Sequence, residues 1–229
     1  MSETSRGVRR YAAEGAVIVV GILIALGADA LWSYRIDRVD ERVALRQLDA
    51  EFESNAAQLD SVYDGHRRGL GAATTLLSAI RGTMTIPTDS VRTLVYLLDE
   101  AWTYNPKLAA LESVTRSGRL GLIRDDSLRM ELMGWPGVVD DLKEEEVFAA
   151  EYVHLQQFGA FSEVLNWGDI YAPESVRGDR EIRLVGNENL ESIVAYRIGW
   201  YEVILDEIAL TETVLGRIRG LIATNLTGG

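Results

Sequence analysis

The chain has 229 residues, 47% hydrophobic and 25% charged, a composition that excludes disorder, collagen-like repeats and disulfide frameworks. Its 35 acidic and 23 basic side chains leave a net charge of −12, which repels nucleic acid in the absence of a segregated basic patch, and no basic run stands out. Cysteine is absent, which removes thiolate chemistry, iron–sulfur clusters and cysteine-ligated zinc without fixing the redox compartment.

The negative charge is unevenly spread. Arg6, Arg9 and Arg10 balance Glu3, Glu14 and Asp29 in residues 1–34, so the whole excess lies in residues 35–229. Inside the neutral part, Gly15 to Ala28 is uncharged and apolar, a run of 14 residues. As a helix it reaches only about 21 Å, short for a membrane span. Ala12, Ala13, Ala30 and Leu31 lengthen it, and Tyr11 and Trp32 stand roughly 31 Å of helix apart, which suits an aromatic belt at each interface. Glu14 and Asp29 then fall near the headgroups, where a carboxylate costs far less than at the bilayer centre. The division expected is a tail over 1–10, a transmembrane helix over 11–34 and a helical extramembrane domain over 35–229. A cleaved signal peptide is the rival reading, because Arg9 and Arg10 precede the run and Ala28-Asp29-Ala30 resembles a cleavage site. Glu14 at the head of the run speaks against it. A buried core helix is the other rival, since the run is apolar on all sides.

On a helical wheel Glu14, Ile18, Gly21, Ala25, Ala28 and Trp32 share one face. Gly21 with Ala25 is a small-xxx-small pair, the means by which spanning helices approach closely in lipid, so this face is expected to pack on a partner helix, homotypic or foreign.

Beyond Trp32, Ile36, Val39, Val43, Leu48, Phe52, Leu59 and Val62 recur among charges, which predicts one helix continuing to about Tyr63. Gly65, Gly69 and Gly71 read as a turn, followed by a helix over 70–81 that stops at Gly82. Asp89 or Ser90 caps the next helix, with Leu94, Leu97, Leu98 and Trp102 on its apolar side. Asn105-Pro106 reads as a cap and first helical position, and Ser117-Gly118 as a helix end. Leu120 to Ile123 is a connector. A helix from Asp125 is expected to break at Gly134-Trp135-Pro136-Gly137 and to resume from Val138 toward Leu165. Residues 167–187 read as the longest loop. Leu190 to about Thr224 is helical again, with Ile193, Ile198, Tyr201, Leu205, Ile208, Leu215 and Ile218 as its stripe. No strand pattern occurs, so the class is all-α: a bundle of about five or six helices on a membrane stalk.

Tyr11-Ala-Ala-Glu14, Val20-Gly-Ile-Leu-Ile-Ala-Leu26 and Trp32 before an arginine-rich helix resemble the N-terminus of a family of uncharacterised bacterial single-span membrane proteins. Ser117-Gly118-Arg119-Leu120, with Ile123, Asp125, Leu128 and Arg129, is similar to that family's internal Ser-Gly-x-Leu segment. The resemblance covers about the first fifth of the chain and this short block. It implies a bacterial inner-membrane location, with the N-terminus cytoplasmic and the helical domain periplasmic. Charge alone leaves orientation near a tie, since three arginines precede the span and Arg35, Arg38, Arg42 and Arg46 follow it.

Catalytic chemistry has few carriers, for the only histidines are His66 and His154. Glu151 and His154 form half of the Glu-x-x-His pairing of di-iron bundles, and Tyr63 stands where the other half needs a glutamate. Asp140, Asp141, Glu144, Glu145 and Glu146 form an acidic cluster that reads as a solvated helix face. No phosphate loop, nucleophile elbow or zincin motif occurs, and Ser113, Ser117 and Ser127 have no histidine nearby in sequence. No enzyme, cofactor, metal site or small-molecule substrate is therefore expected. Trp135, Trp167 and Tyr171, in a predicted break and a predicted loop, are candidates for an interface or for packing onto the domain itself, whereas Trp102 and Trp200 read as core.

The expectation is a structural accessory subunit whose partners are the lipid bilayer and integral membrane subunits of a larger complex. Such chains are associated with bacterial photosynthetic reaction-centre and light-harvesting assemblies, and respiratory complexes are the other host. The span lacks histidine, the usual side-chain ligand of a chlorophyll magnesium, so a pigment-free subunit is expected. The alternative is a membrane-anchored sensor or signalling adaptor, which a ten-residue tail would oblige to borrow its output domain.

Overall fold

The computed structural model of the chain describes residues 4–172 and 182–228, with side chains from residue 18 onward. All described regular structure is helical, with no strand. α1 (Thr4–Ile80) is a single rod of 77 residues, about 115 Å long. From Glu41 onward it turns one face inward, and Ala44, Leu45, Leu48, Phe52, Leu59 and Val62 are buried there at helical spacing. α2 (Thr88–Asp99) and α3 (Ala109–Arg116) follow, then a 3-10 turn over Arg119–Leu122. α4 (Asp126–Tyr152) passes through a π turn at Val153–Gln157 directly into α5 (Phe158–Ser162). α6 (Trp167–Tyr171) is one short turn, and α7 (Glu188–Thr227) closes the bundle with 40 residues.

Three long rods, α1, α4 and α7, form the frame. The Gly186 N–H donates to the Ile80 carbonyl at the far end of α1, while Asn225 donates to Asp125 at the start of α4. α7 is therefore antiparallel to both others. α4 runs in the same sense as α1, with Arg124 beside Glu41 near its start and Glu146 beside His66 farther along. Parallel neighbours require a return crossover, and residues 81–125 supply it, carrying α2 and α3 down the flank of α1. One core cluster joins α1, α3, α4 and α7 around Phe52, Trp135 and Ile208, and a second joins the far end of α1 to α2, α5 and α7 around Leu76, Leu98 and Phe161.

The structure departs from the sequence expectations at several points. Neither Asp89 nor Ser90 caps α2, which starts at Thr88 after Pro87. Residues 167–171 of the expected loop form α6, while residues 173–181 of it lie outside the described residues. Gly65, Gly69 and Gly71 make no turn. A Cβ on Gly65 would lie 2.3 Å from the Trp102 ring and one on Gly69 would lie 2.4 Å from Tyr201. These two glycines admit aromatic rings against the helix, a packing use and not a conformational one. Gly134 to Gly137 likewise fails to break α4, because Trp135 is fully buried against Phe52 and Tyr104 and that packing outweighs the local cost of Pro136. No helix starts at Asn105-Pro106. Residues 100–108 stay non-helical down to Leu108, held by side chains of α1 and α4, and α3 begins at Ala109.

Candidate membrane anchor and buried polar cluster

α1 leaves the bundle as a bare rod: residues 18–36 are exposed throughout, though mostly apolar. Among the described residues it is the one helix long and apolar enough to cross a membrane. Ile18, Gly21, Ala25, Ala28 and Trp32 lie on this free rod, and neither Gly21 nor Gly27 has an atom within 4 Å of an added Cβ. The side chain of Glu14 lies outside the described residues, as does that of Tyr11.

Past Trp32 the apolar residues separate into two stripes. Leu48, Phe52, Leu59 and Val62 face the core, but Ile36, Val39 and Val43 do not join them; they remain 47%, 61% and 39% exposed. At about 100° per residue they continue the line of Gly21, Ala25, Ala28 and Trp32, and point away from the bundle. Residues 36–62 therefore carry two apolar stripes on nearly opposite faces, not the single stripe that their spacing predicts.

The core face of α1 also carries polar side chains in phase with its apolar ones, and these pin the crossover. Glu41 accepts the Arg124 N–H at 2.9 Å. Glu51 accepts the N–H groups of Ala110 and Leu111 at the start of α3, where a carboxylate also suits the helix dipole. Asn55 holds both backbone polar groups of Lys107, each at 2.8 Å. From α4, Glu146 accepts the Tyr104 N–H with both carboxylate oxygens, at 3.0 and 2.9 Å. A non-helical segment leaves N–H groups without intrahelical partners, and these four side chains supply them.

Where the two core clusters meet, His66, Glu146, Gln157 and Arg197 are all buried. His66 Nε2 lies 4.0 Å from Glu146 Oε1 and its ring meets Tyr201 edge-on, with centroids 5.9 Å apart. The Arg197 guanidinium sits 4.2 Å over the Tyr201 ring, with Nε and Nη1 unpaired. The π turn rotates Gln157 inward, where its amide N–H and the Tyr201 hydroxyl both donate to the Leu98 carbonyl at the C-terminal end of α2. Burial, reinforced by the Arg197 charge, lowers the His66 pKa to about 4. Burial raises that of Glu146 to about 7, against the Tyr104 N–H and Lys143, which favour the carboxylate. The cluster is thus a neutral imidazole and a carboxyl poised between its two forms beside a fixed cation. Arg197 opposes a metal ion there, and among the described residues no three His, Asp or Glu side chains converge. In sequence, Glu41, Glu51, Asn55 and His66 fall in step with Leu48, Phe52, Leu59 and Val62, which is the signal that they turn inward.

Of the remaining sequence candidates, Trp135 is corrected: it is core and offers no surface to a partner. Trp167 is half-buried, stacks on Phe158 at 5.0 Å and donates to Ser162 Oγ. Tyr171 is exposed, stacks on Trp167 and hydrogen-bonds Asp99, so this pair fastens α6 onto α5 and α2. Glu151 and His154 both face solvent. Within the acidic cluster Asp140, Asp141 and Glu144 are solvated and Glu145 is half-buried, whereas Glu146 enters the core. Compared with family models, curated proteins and solved structures, the chain finds no match.

Proposed function

We propose that this chain is a membrane-anchored, non-catalytic subunit whose helical domain braces the extramembrane part of a larger membrane complex. The observation that carries the reading is one helix that is bare and apolar over 18–36 and becomes the central rod of a packed bundle from Glu41 onward. An apolar rod of that length has no partner within its own fold, and lipid with neighbouring spanning helices is the environment that would cover it. The buried polar residues support the same reading, since Glu41, Glu51, Asn55 and Glu146 are engaged in holding the crossover. Membership of the single-span family, a cytoplasmic N-terminus, a bacterial inner membrane and a periplasmic domain belong to the proposal on the resemblance in residues 11–32. A photosynthetic reaction-centre or light-harvesting assembly is the first host to probe.

The test is fractionation of native membranes. The chain is expected to resist an alkaline carbonate wash and to copurify with integral membrane proteins in mild detergent. Release by the wash, or elution free of any other polypeptide, would overturn the proposal. Digestion of the bundle by protease only after the inner membrane is opened from the cytoplasmic side would reverse the orientation.

A further inference from the structure

The outward stripe of α1 extends past the bilayer. With Trp32 at the interface, Val39 lies about 10 Å and Val43 about 16 Å farther along the helix axis. The headgroup layer is only roughly 5–8 Å deep on each side, so lipid does not cover these two side chains. Arg35, Asp37, Arg38 and Asp40, interleaved with them, oppose deeper insertion. The bundle does not cover them either, because it packs on the opposite side of α1.

Their spacing names an occupant. Trp32, Ile36, Val39 and Val43 are separated by four, three and four residues, the d-a-d-a sequence of a parallel coiled coil, with Ile36 and Val43 at a and Trp32 and Val39 at d. In that geometry each a side chain enters a hole formed by the d, g, a and d residues of the facing helix. A cleft of about 260 Å³ on this surface is lined by Trp32, Arg35, Ile36, Val39 and Asp40. The first four are the residues required to receive the Ile36 of a second copy. Charge agrees: Arg35 falls at g and Asp40 at e of the following heptad, so parallel copies place each opposite the other's partner. Gly21, Ala25 and Ala28 carry the same face into the span, where two identical helices must also run parallel.

We infer that the chain forms a parallel dimer through the outward face of α1, with Trp32, Ile36, Val39 and Val43 as its extramembrane seam. This rests on the anchor reading, because the span sets the parallel direction. The natural absence of cysteine makes the test direct. Ile36→Cys, Val39→Cys and Val43→Cys in the full chain, oxidised in intact membranes, should give covalent homodimers several-fold more readily than Met130→Cys or Leu210→Cys, exposed residues of α4 and α7. Adding Ile36→Glu and Val39→Glu to the Val43→Cys chain should abolish the crosslink and leave the melting temperature unchanged, since neither side chain packs in the bundle. Equal crosslinking at seam and control positions, or an adduct with a polypeptide of different mass, would overturn the dimer. A carbonate wash of the same membranes separates the two failures: a chain that stays in the pellet without crosslinking defeats the dimer alone, and one that is released defeats the anchor.

Discussion

Glu146 and His66 stand 4.0 Å apart inside the bundle with pKa values displaced in opposite directions. Glu146 is raised from 4.5 to about 7, so its contribution to stability is full below pH 4.5 and is lost as pH rises through about 7. His66 is lowered from 6.5 to about 4, so its contribution is full above pH 6.5 and is lost as pH falls through about 4. Between these limits the two slopes cancel, and the pair leaves stability nearly flat across mildly acidic pH. Glu146→Gln keeps an acceptor for the Tyr104 N–H and removes only the carboxylate. Relative to the parent chain it should gain roughly 2–3 kcal/mol between pH 5 and pH 8, read from urea unfolding at each pH. Parallel profiles would mean that the carboxylate is better solvated than its burial implies. The acidic run 140–146 was plain in the sequence, but which member turns inward depends on α4 continuing unbroken through Pro136.

At the scale of elements, α1 separates what local sequence encodes from what packing decides. Its apolar period and the charges between were legible, and so was the change after Trp32 from an uninterrupted apolar run to an amphipathic helix. The reading stopped near Tyr63 because three glycines in seven residues resemble a turn, and nothing local announces that Trp102 and Tyr201 dock into the space they leave. The glycines are not equivalent. Gly71→Ala meets nothing within 4 Å and should stabilise the chain by about 0.5–1 kcal/mol through helix propensity. Gly65→Ala drives a methyl to 2.3 Å from the Trp102 ring, and overpacking of about 1–3 kcal/mol should outweigh the same propensity gain. Thermal melts of the two variants should therefore shift in opposite directions, and a shared direction would show that the Trp102 loop yields freely. The π turn is a further element with no sequence signature, recognisable only because it brings Gln157 to the buried side.

For the whole molecule, the all-α class and the stalk with its bundle followed from periodicity and from the missing strands. The arrangement of the rods did not, because a parallel α1 and α4 require a crossover whose path is fixed by Glu41, Glu51, Asn55 and Glu146 and not by any loop length. Those clamps all lie beyond the bare segment, so the bundle should be indifferent to its loss. A chain beginning at Arg35 is expected to be soluble and helical, and to melt within a few degrees of the full chain in detergent. A lower melting temperature would mean that residues before 35 contribute to the folded bundle.

No hinge interrupts α1 between Trp32 and Ile80. Whatever angle the bare N-terminal segment of α1 adopts in its surroundings, the summit near Gly82 must follow it as the tip of a stiff mast. With about 48 residues of helix above Trp32, that tip stands roughly 70 Å up, and each degree of lean moves it sideways by about 1 Å. The height at which a neighbour could meet the summit is therefore set by counting residues, and removing two turns below it would lower every contact there by about 11 Å.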